Sequence, residues 1–565
     1  MASIDTPETL EGALAKVRRL NGSNLPHQSK PAQLLIAIES SLKSTLPAAS
    51  SSSAVPAYTS TAYFAALFQC LEKAVNDEVG EDEDMAETEN MGQGALIPAT
   101  LYLLAIVIPE TPAQVVLSKL SPLLECLLPL FDTALEHPPA LRSLLQITTS
   151  LLLFATGPIL SSSPLLKKAW NYLLELNLDP RPKVRHLAQE GVRKVLTTPV
   201  PPKLTAGSHP YLPRAREWVT AHLEEEAKNG GSSSKGKKAR FADADDGEGK
   251  KVIWIVQGLR GWVAVWGDEV SLPAITTDSS PPNQQQLSSL CSHLLSLPPL
   301  PHLTPQIYSL LAHLLSPPPT EIGAKPSVLQ NLPTIIDSLL ASPPEVKSNS
   351  ADLSTYLSAL TSALIKMSLQ DPLSLPAFLP KAFNLIFNTV LLAPSISQAA
   401  LAAATESIGS QGIIRYCVTD EMILAAVDFK RQGSLEPGAR KKQKTPFVTR
   451  VIAAVSDAMN THALKMGSLL PLLTALVSRL RIHVTREGAA QLDLSGSGIT
   501  AAEELLLDLV TDVGDLRTQK GFEEKPKVDE VVGMAIEVMG VEAVLKALPL
   551  NIEPDAYVEW RSLEY

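Results

Sequence analysis

The chain of 565 residues has only four cysteines, Cys70, Cys126, Cys291 and Cys417, and their wide separation allows neither a disulfide framework nor the paired spacing of a zinc site. A reducing compartment is expected. No phosphate loop ending in Gly-Lys-Ser/Thr occurs, no histidines pair at metal spacing, and no Gly-x-Ser-x-Gly elbow is present. The ten histidines are scattered, which predicts surface positions for most of them. These absences predict a protein that is not an enzyme and uses no cofactor or metal. Residues 1–9 carry acidic groups and no apolar core, so no secretory signal is expected. The stretch from Ser143 to Leu166 has no charge, but Gln146, several Ser and Thr residues and Pro158 interrupt it. It reads as two core helices split by a turn at Gly157-Pro158 rather than a membrane span. A formal charge of -11 argues against indiscriminate coating of nucleic acid, so any RNA contact must come from local patches.

Aliphatic residues and proline are plentiful. Hydrophobic residues make up 45% and aromatics only 5%, while prolines number 45, a mix that suits helices packed through aliphatic stripes and separated by proline-bearing turns. The most telling stretch runs from Asp179 to Leu196. Pro180 and Pro182 stop one helix and preset the next, because a first turn has no need of the amide that proline lacks. Asp179 is the expected cap. Val184, Leu187, Ala188, Gly191, Val192, Val195 and Leu196 form one stripe of a 3.6-residue helix, with a mostly basic opposite face. Such a helix cannot bury its stripe alone. Neighbouring repeats must stack on it, which predicts an all-α fold, a HEAT/armadillo-like α-α superhelix or solenoid.

Similar patterns recur along the chain. Helices are expected at about 8–20, 31–46, 58–78, 95–108, 112–136, 138–156, 164–177, 182–197 and 209–228, forming an N-terminal array over 1–228. The acidic run from Asp77 to Glu89 reads as a solvated loop. Residues 229–251, rich in Gly, Ser, Lys and Asp, read as a disordered charged linker. The segment 252–266 holds three of the six tryptophans around two glycines and reads as a hairpin at the head of a second array over 252–565. In that array, helices are expected from about 284 onward, with one over 467–485 and the last near 500–513, 526–539 and 541–548, and a flexible basic loop near 432–446. Gly409 and Gly540 each follow an apolar helix and precede another. They are about 131 positions apart, close to three repeats of HEAT or armadillo length.

The run Asp179-Pro180-Arg181-Pro182-Lys183-Val184-Arg185, continued by Ala188-Gln189-Glu190-Gly191-Val192-Arg193-Lys194-Val195-Leu196, closely resembles the N-terminal HEAT segment of the ribosomal RNA-processing protein twelve family. Leu545-Lys546-Ala547-Leu548-Pro549-Leu550-Asn551 looks like that family's Leu-Pro-Leu-Asn element, and His209-Pro210 also fits. Together these matches span about residues 140–555. The tryptophan-rich segment fits the pattern poorly. The resemblance implies a HEAT-repeat scaffold or adaptor of the nucleus and nucleolus that supports pre-rRNA processing and travels with pre-ribosomal subunits during export. It also implies contacts to pre-rRNA, ribosomal proteins, the GTPase Ran and nuclear-pore repeats, with no membrane involved. The chain is about half the family's usual length, so functions of a long C-terminal half with a basic tail are not expected of it.

Three sets of cations are candidate sites. Arg181, Lys183, Arg185, Arg193 and Lys194 on and before the 182–197 helix are candidates for RNA or an acidic partner, because arginine's planar fork grips phosphate or carboxylate bidentately. The bland alternative is a solvated face, with Arg185 tying repeats together through a carboxylate. Lys235, Lys237, Lys238 and Arg240, and Arg440, Lys441, Lys442 and Lys444, lie in loop-like sequence and read as nuclear-localisation signals. Acidic residues 243–248 offset the first cluster. A general nuclear-transport receptor of the importin or exportin kind, or a regulatory scaffold for a kinase or phosphatase, uses the same architecture, since fold alone does not dictate function.

Overall fold

The computed structural model describes residues 9–45, 58–78, 96–201, 209–232, 248–267, 282–297, 302–316, 331–346, 350–435, 444–494 and 498–549, with residues 300 and 329. The chain forms two compact units, Met1–Asn283 and Gln284–Tyr565, and the fold is all-α as the periodicity predicts.

The first unit contains α1 (Leu10–Arg18), α2 (Pro26–Thr45), α3 (Ser60–Glu78), α4 (Leu96–Val107), α5 (Ala113–Ser118), α6 (Leu120–Leu127) and α7 (Leu130–Thr133). It continues with α8 (Pro138–Phe154), α9 (Gly157–Ser162), α10 (Pro164–Glu175), α11 (Pro182–Thr197), α12 (Leu212–Ser232) and α13 (Glu248–Leu259). Prolines open α2, α8, α10 and α11, and Ser163 caps α10 by accepting from the Leu166 amide at 3.3 Å. A cap is worth about 1 kcal/mol, whereas each fully buried leucine contributes about 1.5–3 kcal/mol. Packing therefore decides the fold. Helices α2, α4, α8 and α11 stack in that order. Leu101 and Leu104 of α4, Leu141, Leu144 and Leu151 of α8, and Val184, Ala188 and Val195 of α11 are at most 1% exposed. The charge-free 143–166 stretch divides at Ala155–Thr156 between α8 and α9, and no described helix is long and apolar enough to cross a membrane.

The second unit begins within α14 (Pro282–Ser296) and continues through α15 (Thr304–Leu315), α16 (Leu332–Ala341), α17 (Ser350–Gln370), α18 (Leu379–Asn384), α19 (Gln398–Ile408) and α20 (Asp420–Leu435). It ends with α21 (Phe447–Thr461), α22 (Met466–Arg479), α23 (Ala501–Leu516), α24 (Lys525–Met539) and α25 (Val541–Ala547). Helix α17 packs on α15 and α19, and α22 on α24. Thr500 caps α23, accepting from the Glu503 amide at 3.1 Å.

Several expectations are corrected. The tryptophan-rich segment is not a hairpin: it forms α13 and a 3-10 turn at Val263–Gly267, packed on α11 and α12 within the first unit. Its placement moves the division between arrays from the expected 252 to 283–284. The expected linker 229–251 is helical at both ends, in α12 and α13, and residues 233–247 lie outside the described residues. Likewise 432–435 continue α20, and 436–443 lie outside the described residues. A helix expected over 467–485 stops at Arg479, because β1 (His483–Val484) pairs antiparallel with β2 (Ile499–Thr500). Gly488, at φ 80°, turns the chain between them. Glycine ends both α19 and α24, but only Gly540 does so with a positive φ, 92°. Gly409 is instead a close-packing site, where a Cβ would lie 2.9 Å from the Thr405 carbonyl oxygen and 3.2 Å from Leu472.

Candidate partner-binding face of the first unit

Helix α11 has the stripe expected of it, with Val184, Ala188, Gly191, Val192, Val195 and Leu196 buried, but its cations have unequal environments. Asp179 does not cap the helix; Arg181 holds the N-cap position with no side-chain cap of its own. The Asp179 carboxylate instead accepts from the Arg181 backbone N–H at 2.8 Å and from its Nε and Nη2 at 2.8 and 2.6 Å. Burial pushes this carboxyl up, yet the hydrogen bonds and charge of Arg181 outweigh that and hold it below the usual carboxylate range. Arg181 also donates from Nη1 to the Leu135 carbonyl at 2.6 Å, tying α11 to the turn before α8.

Arg185 is not on the wet face. It is 8% exposed, donates to the Asp179 carbonyl at 2.9 Å and the Pro180 carbonyl at 3.3 Å, and its guanidinium lies 4.2 Å from the centroid of the Trp254 ring. It ties elements together through backbone carbonyls and a ring, not through a carboxylate. Burial lowers its pKa, against the charge of Asp179. Gln189 donates to the Trp254 carbonyl at 2.9 Å. The two glycines of the tryptophan segment permit this approach: a Cβ on Gly258 would lie 3.1 Å from Gln189 Cγ, and one on Gly261 3.0 Å from Arg193 Cδ. Trp262 stacks on Trp266 with centroids 5.4 Å apart, and Arg216 donates to the Trp266 carbonyl.

Arg193 donates to Glu190 at 2.7 and 2.6 Å, and Lys194 lies 3.7 Å from the same carboxylate, leaving a half-exposed cluster. Lys183 is exposed and forms no ion pair among the described residues. Of the localisation clusters, only Lys444 is described, and it is exposed; Lys235, Lys237, Lys238, Arg240, Arg440, Lys441 and Lys442 lie outside the described residues.

A groove of about 1100 Å³ crosses the first unit, and no single stretch of the sequence marks it. Its walls come from the N-terminal halves of α2, α4, α8 and α11, so these helices run in the same sense. Each contributes an edge with i, i+4 spacing: Pro26 and Lys30, Pro98 and Tyr102, Pro138 and Arg142, Lys183 and Leu187. That edge is the signal that could have found the groove. His137 caps α8 at its wall, Nδ1 accepting from the Ala140 amide at 3.2 Å, and burial lowers its pKa. Elsewhere in the unit His209 is buried at 5% exposure beside Trp170, an exception to the surface positions that most of the histidines take as expected. Among the described residues no group of three His, Cys, Asp or Glu side chains is placed to hold a metal ion.

Two family models match this chain. One, described as RRP12-like N-terminal HEAT repeats, covers residues 18–268, and the other, described as ribosomal RNA-processing protein 12 HEAT repeats, covers 395–562. The chain belongs to the ribosomal RNA-processing protein 12 family. The first match runs through the tryptophan segment to the end of its 3-10 turn, so that segment is part of the family's N-terminal array. Ribosomal RNA-processing protein 12 of Saccharomyces cerevisiae is 27% identical over 194 residues, which are 34% of this chain and 15% of the yeast protein. The matched segment is thus a small part of that relative's length. Among solved structures, Kap121p aligns over 97% of this chain and 48% of its own at 12% identity and a TM-score of 0.41. Importin beta aligns over 95% and 59% at 10% identity and a TM-score of 0.38.

Proposed function

We propose that this chain is a non-enzymatic HEAT-repeat scaffold of ribosome biogenesis that supports pre-rRNA processing and the nuclear export of pre-ribosomal subunits. The observation that carries this reading is that two models of one rRNA-processing family match the two units separately. The physical picture agrees with it: charged side chains stand on the rims of helices whose inner faces are given over to packing, which suits broad contact with large assemblies. Partners on this reading are pre-ribosomal particles, through pre-rRNA and ribosomal proteins, with Ran and nuclear-pore repeats engaged during export. The working place is the nucleus and nucleolus, with shuttling to the cytoplasm. Lys183, Arg193 and Lys194 are the α11 cations left to meet RNA or an acidic partner, while Arg181 and Arg185 hold the repeat together. The 235–240 and 440–444 clusters serve as localisation signals.

Crosslinking in cells followed by sequencing of bound RNA tests the reading. Ribosomal precursor RNA and co-purifying ribosomal proteins are the expected recovery. Background RNA without ribosomal proteins would refute it, and GTP-dependent Ran binding with diverse cargo would point to a general transport receptor instead. Imaging the same tagged chain with Arg440, Lys441, Lys442 and Lys444 changed to Glu is expected to show reduced nuclear accumulation, and an unchanged distribution removes that role from the cluster.

A further inference from the structure

The groove across α2, α4, α8 and α11 has a chemistry distinct from that of the α11 outer face. Its floor is apolar and stiff. Pro98 and Pro138 lie on it, Leu187 is half-buried at its α11 edge, and Tyr102 is 42% exposed there, an unusual position for a large ring on a helix whose neighbours Leu101 and Leu103 are fully buried. Around this floor stand three permanent cations on three different helices, Lys30, Arg142 and Lys183. Lys30 and Lys183 are exposed and in no ion pair among the described residues. Arg142 lines the groove half-buried, donates from Nε to the Pro138 carbonyl at 3.4 Å, and has no carboxylate partner among the described residues. The wall also carries Glu136 and Glu190, the latter already paired with Arg193 and Lys194.

We propose that this groove binds an extended, acidic segment of a protein partner, its carboxylates meeting Lys30, Arg142 and Lys183 and its apolar side chains lying on Tyr102, Leu187 and the prolines. Dimensions favour such an occupant. Four stacked helices spaced about 8–10 Å apart present a floor roughly 30 Å long, which an extended chain of about nine residues spans. Charge complementarity selects the acidic class, because three cations gathered about an apolar floor match a segment that carries both carboxylates and aliphatic groups. A nucleic-acid strand fits less well. It carries a charge at every nucleotide and would meet only three cations, with Glu136 opposing it. An acidic peptide can space its charges to suit.

The inference concerns a protein partner and stands apart from the recovery of precursor RNA, so either can fail without the other. The test uses the full chain and a fluorescein-labelled synthetic peptide of alternating Glu and Leu, about nine residues long, with binding read by fluorescence anisotropy. The expected result is saturable binding that weakens as salt rises, because exposed ion pairs are screened. Replacing Lys30, Arg142 and Lys183 together by Glu is expected to weaken it about tenfold or more, because three exposed attractions are lost and reversed at once. Lys43, Lys119 and Lys167, exposed on the same unit and outside the groove, serve as the control triple and are expected to leave affinity within about twofold. Tryptophan fluorescence checks that both triples fold, and Lys183→Glu alone is the second variant. No saturable binding by the native chain, equal loss with either triple, or binding of oligouridylate but not the peptide through the groove cations would each overturn the proposal, the last in favour of an RNA surface.

Discussion

His209 sets up a pH dependence that can be worked from the structure. The imidazole packs with its ring centroid 6.3 Å from that of Trp170 and 5.5 Å from that of Tyr211, and its Nδ1 accepts the Tyr211 backbone N–H at 3.2 Å. Tyr211 in turn donates its hydroxyl to the Leu160 carbonyl at 2.9 Å, anchoring the start of α12 to α9. Burial lowers the pKa of His209 from 6.5 to about 4. Protonation would also turn Nδ1 from an acceptor into a donor facing another donor. Because the folded value lies below the unfolded one, the unfolded chain takes up the proton first. The stability this group confers is therefore complete above pH 6.5, falls as pH drops from 6.5 to about 4, and is flat below that. At 1.36 kcal/mol per unit, the loss across that window is about 3 kcal/mol. Five of the six tryptophans lie between residues 170 and 266, so urea unfolding followed by tryptophan fluorescence reports chiefly on the first unit. Against His209→Gln, which keeps an acceptor for the Tyr211 amide but cannot titrate, the native chain should lose about 3 kcal/mol more between pH 7 and pH 4. With a slope of at least about 3 kcal/mol per molar urea, that is a relative midpoint shift of up to about 1 M. Dilute protein is required near the pI of about 5.5. A difference between the two chains that does not change with pH, or an imidazole carbon resonance titrating near 6.5, would refute the assignment.

Gly191 sits where α11 crosses α8 and α10. A Cβ there would lie 2.6 Å from Thr149 Oγ1 and 3.1 Å from Leu173 Cδ1, while the Thr149 hydroxyl is held by the Leu145 carbonyl at 2.7 Å. Overpacking costs about 1–3 kcal/mol and the gain in helix propensity returns up to about 1, so Gly191→Ala should destabilise by about 1 kcal/mol net. Adding Thr149→Ala should recover most of that loss in thermal denaturation; a strictly additive double variant would contradict the contact. Trp254→Ala removes the ring beneath Arg185 and should destabilise by about 2–3 kcal/mol. The segment 248–267 should then be cut faster in limited proteolysis, and unchanged cleavage there would argue against α13 being docked through this ring.

How far the fold could be read from the chain depends on whether local pattern and tertiary demand agree. They agree at Pro182–Thr197, where proline, stripe and length all specify one amphipathic helix and the observed bounds match the expected ones. They conflict at 252–266. The β-branched and aromatic residues there favour a strand in isolation, but Val252, Ile255, Val256 and Leu259 also lie on one helical stripe, and all four are at most 3% exposed. Burial against α11 and α12 overrides propensity. The glycines that suggested a turn are there because two helices approach closely, which composition alone does not distinguish from a turn. The reverse conflict occurs after Arg479, where the apolar period continues as in a helix although the Ile482 carbonyl accepts from the Ala501 N–H and His483 and Val484 pair antiparallel with Thr500 and Ile499.

The candidate site was less legible, for a related reason. Counting cations on α11 treats each as equally available, but a guanidinium is worth as much to its own repeat as to a partner. Arg181 and Arg185 are held by four backbone or carboxylate contacts shorter than 3 Å to Asp179 and Leu135, and Arg185 is further covered by Trp254. Breaking a buried, hydrogen-bonded charge away from such partners costs several kcal/mol, more than an exposed ion pair with a partner returns. Those two arginines therefore stay where they are when anything binds. Lysines near the helix N-termini, with no such partners among the described residues, are the groups that can respond, and Lys183 and Lys30 share that property from helices more than 150 residues apart in sequence. Only stacking brings them to one groove. A surface assembled this way leaves its trace in sequence as the same i, i+4 edge repeated once per inner helix, so the search for partner sites in a solenoid should compare equivalent helix positions across repeats rather than charges within one.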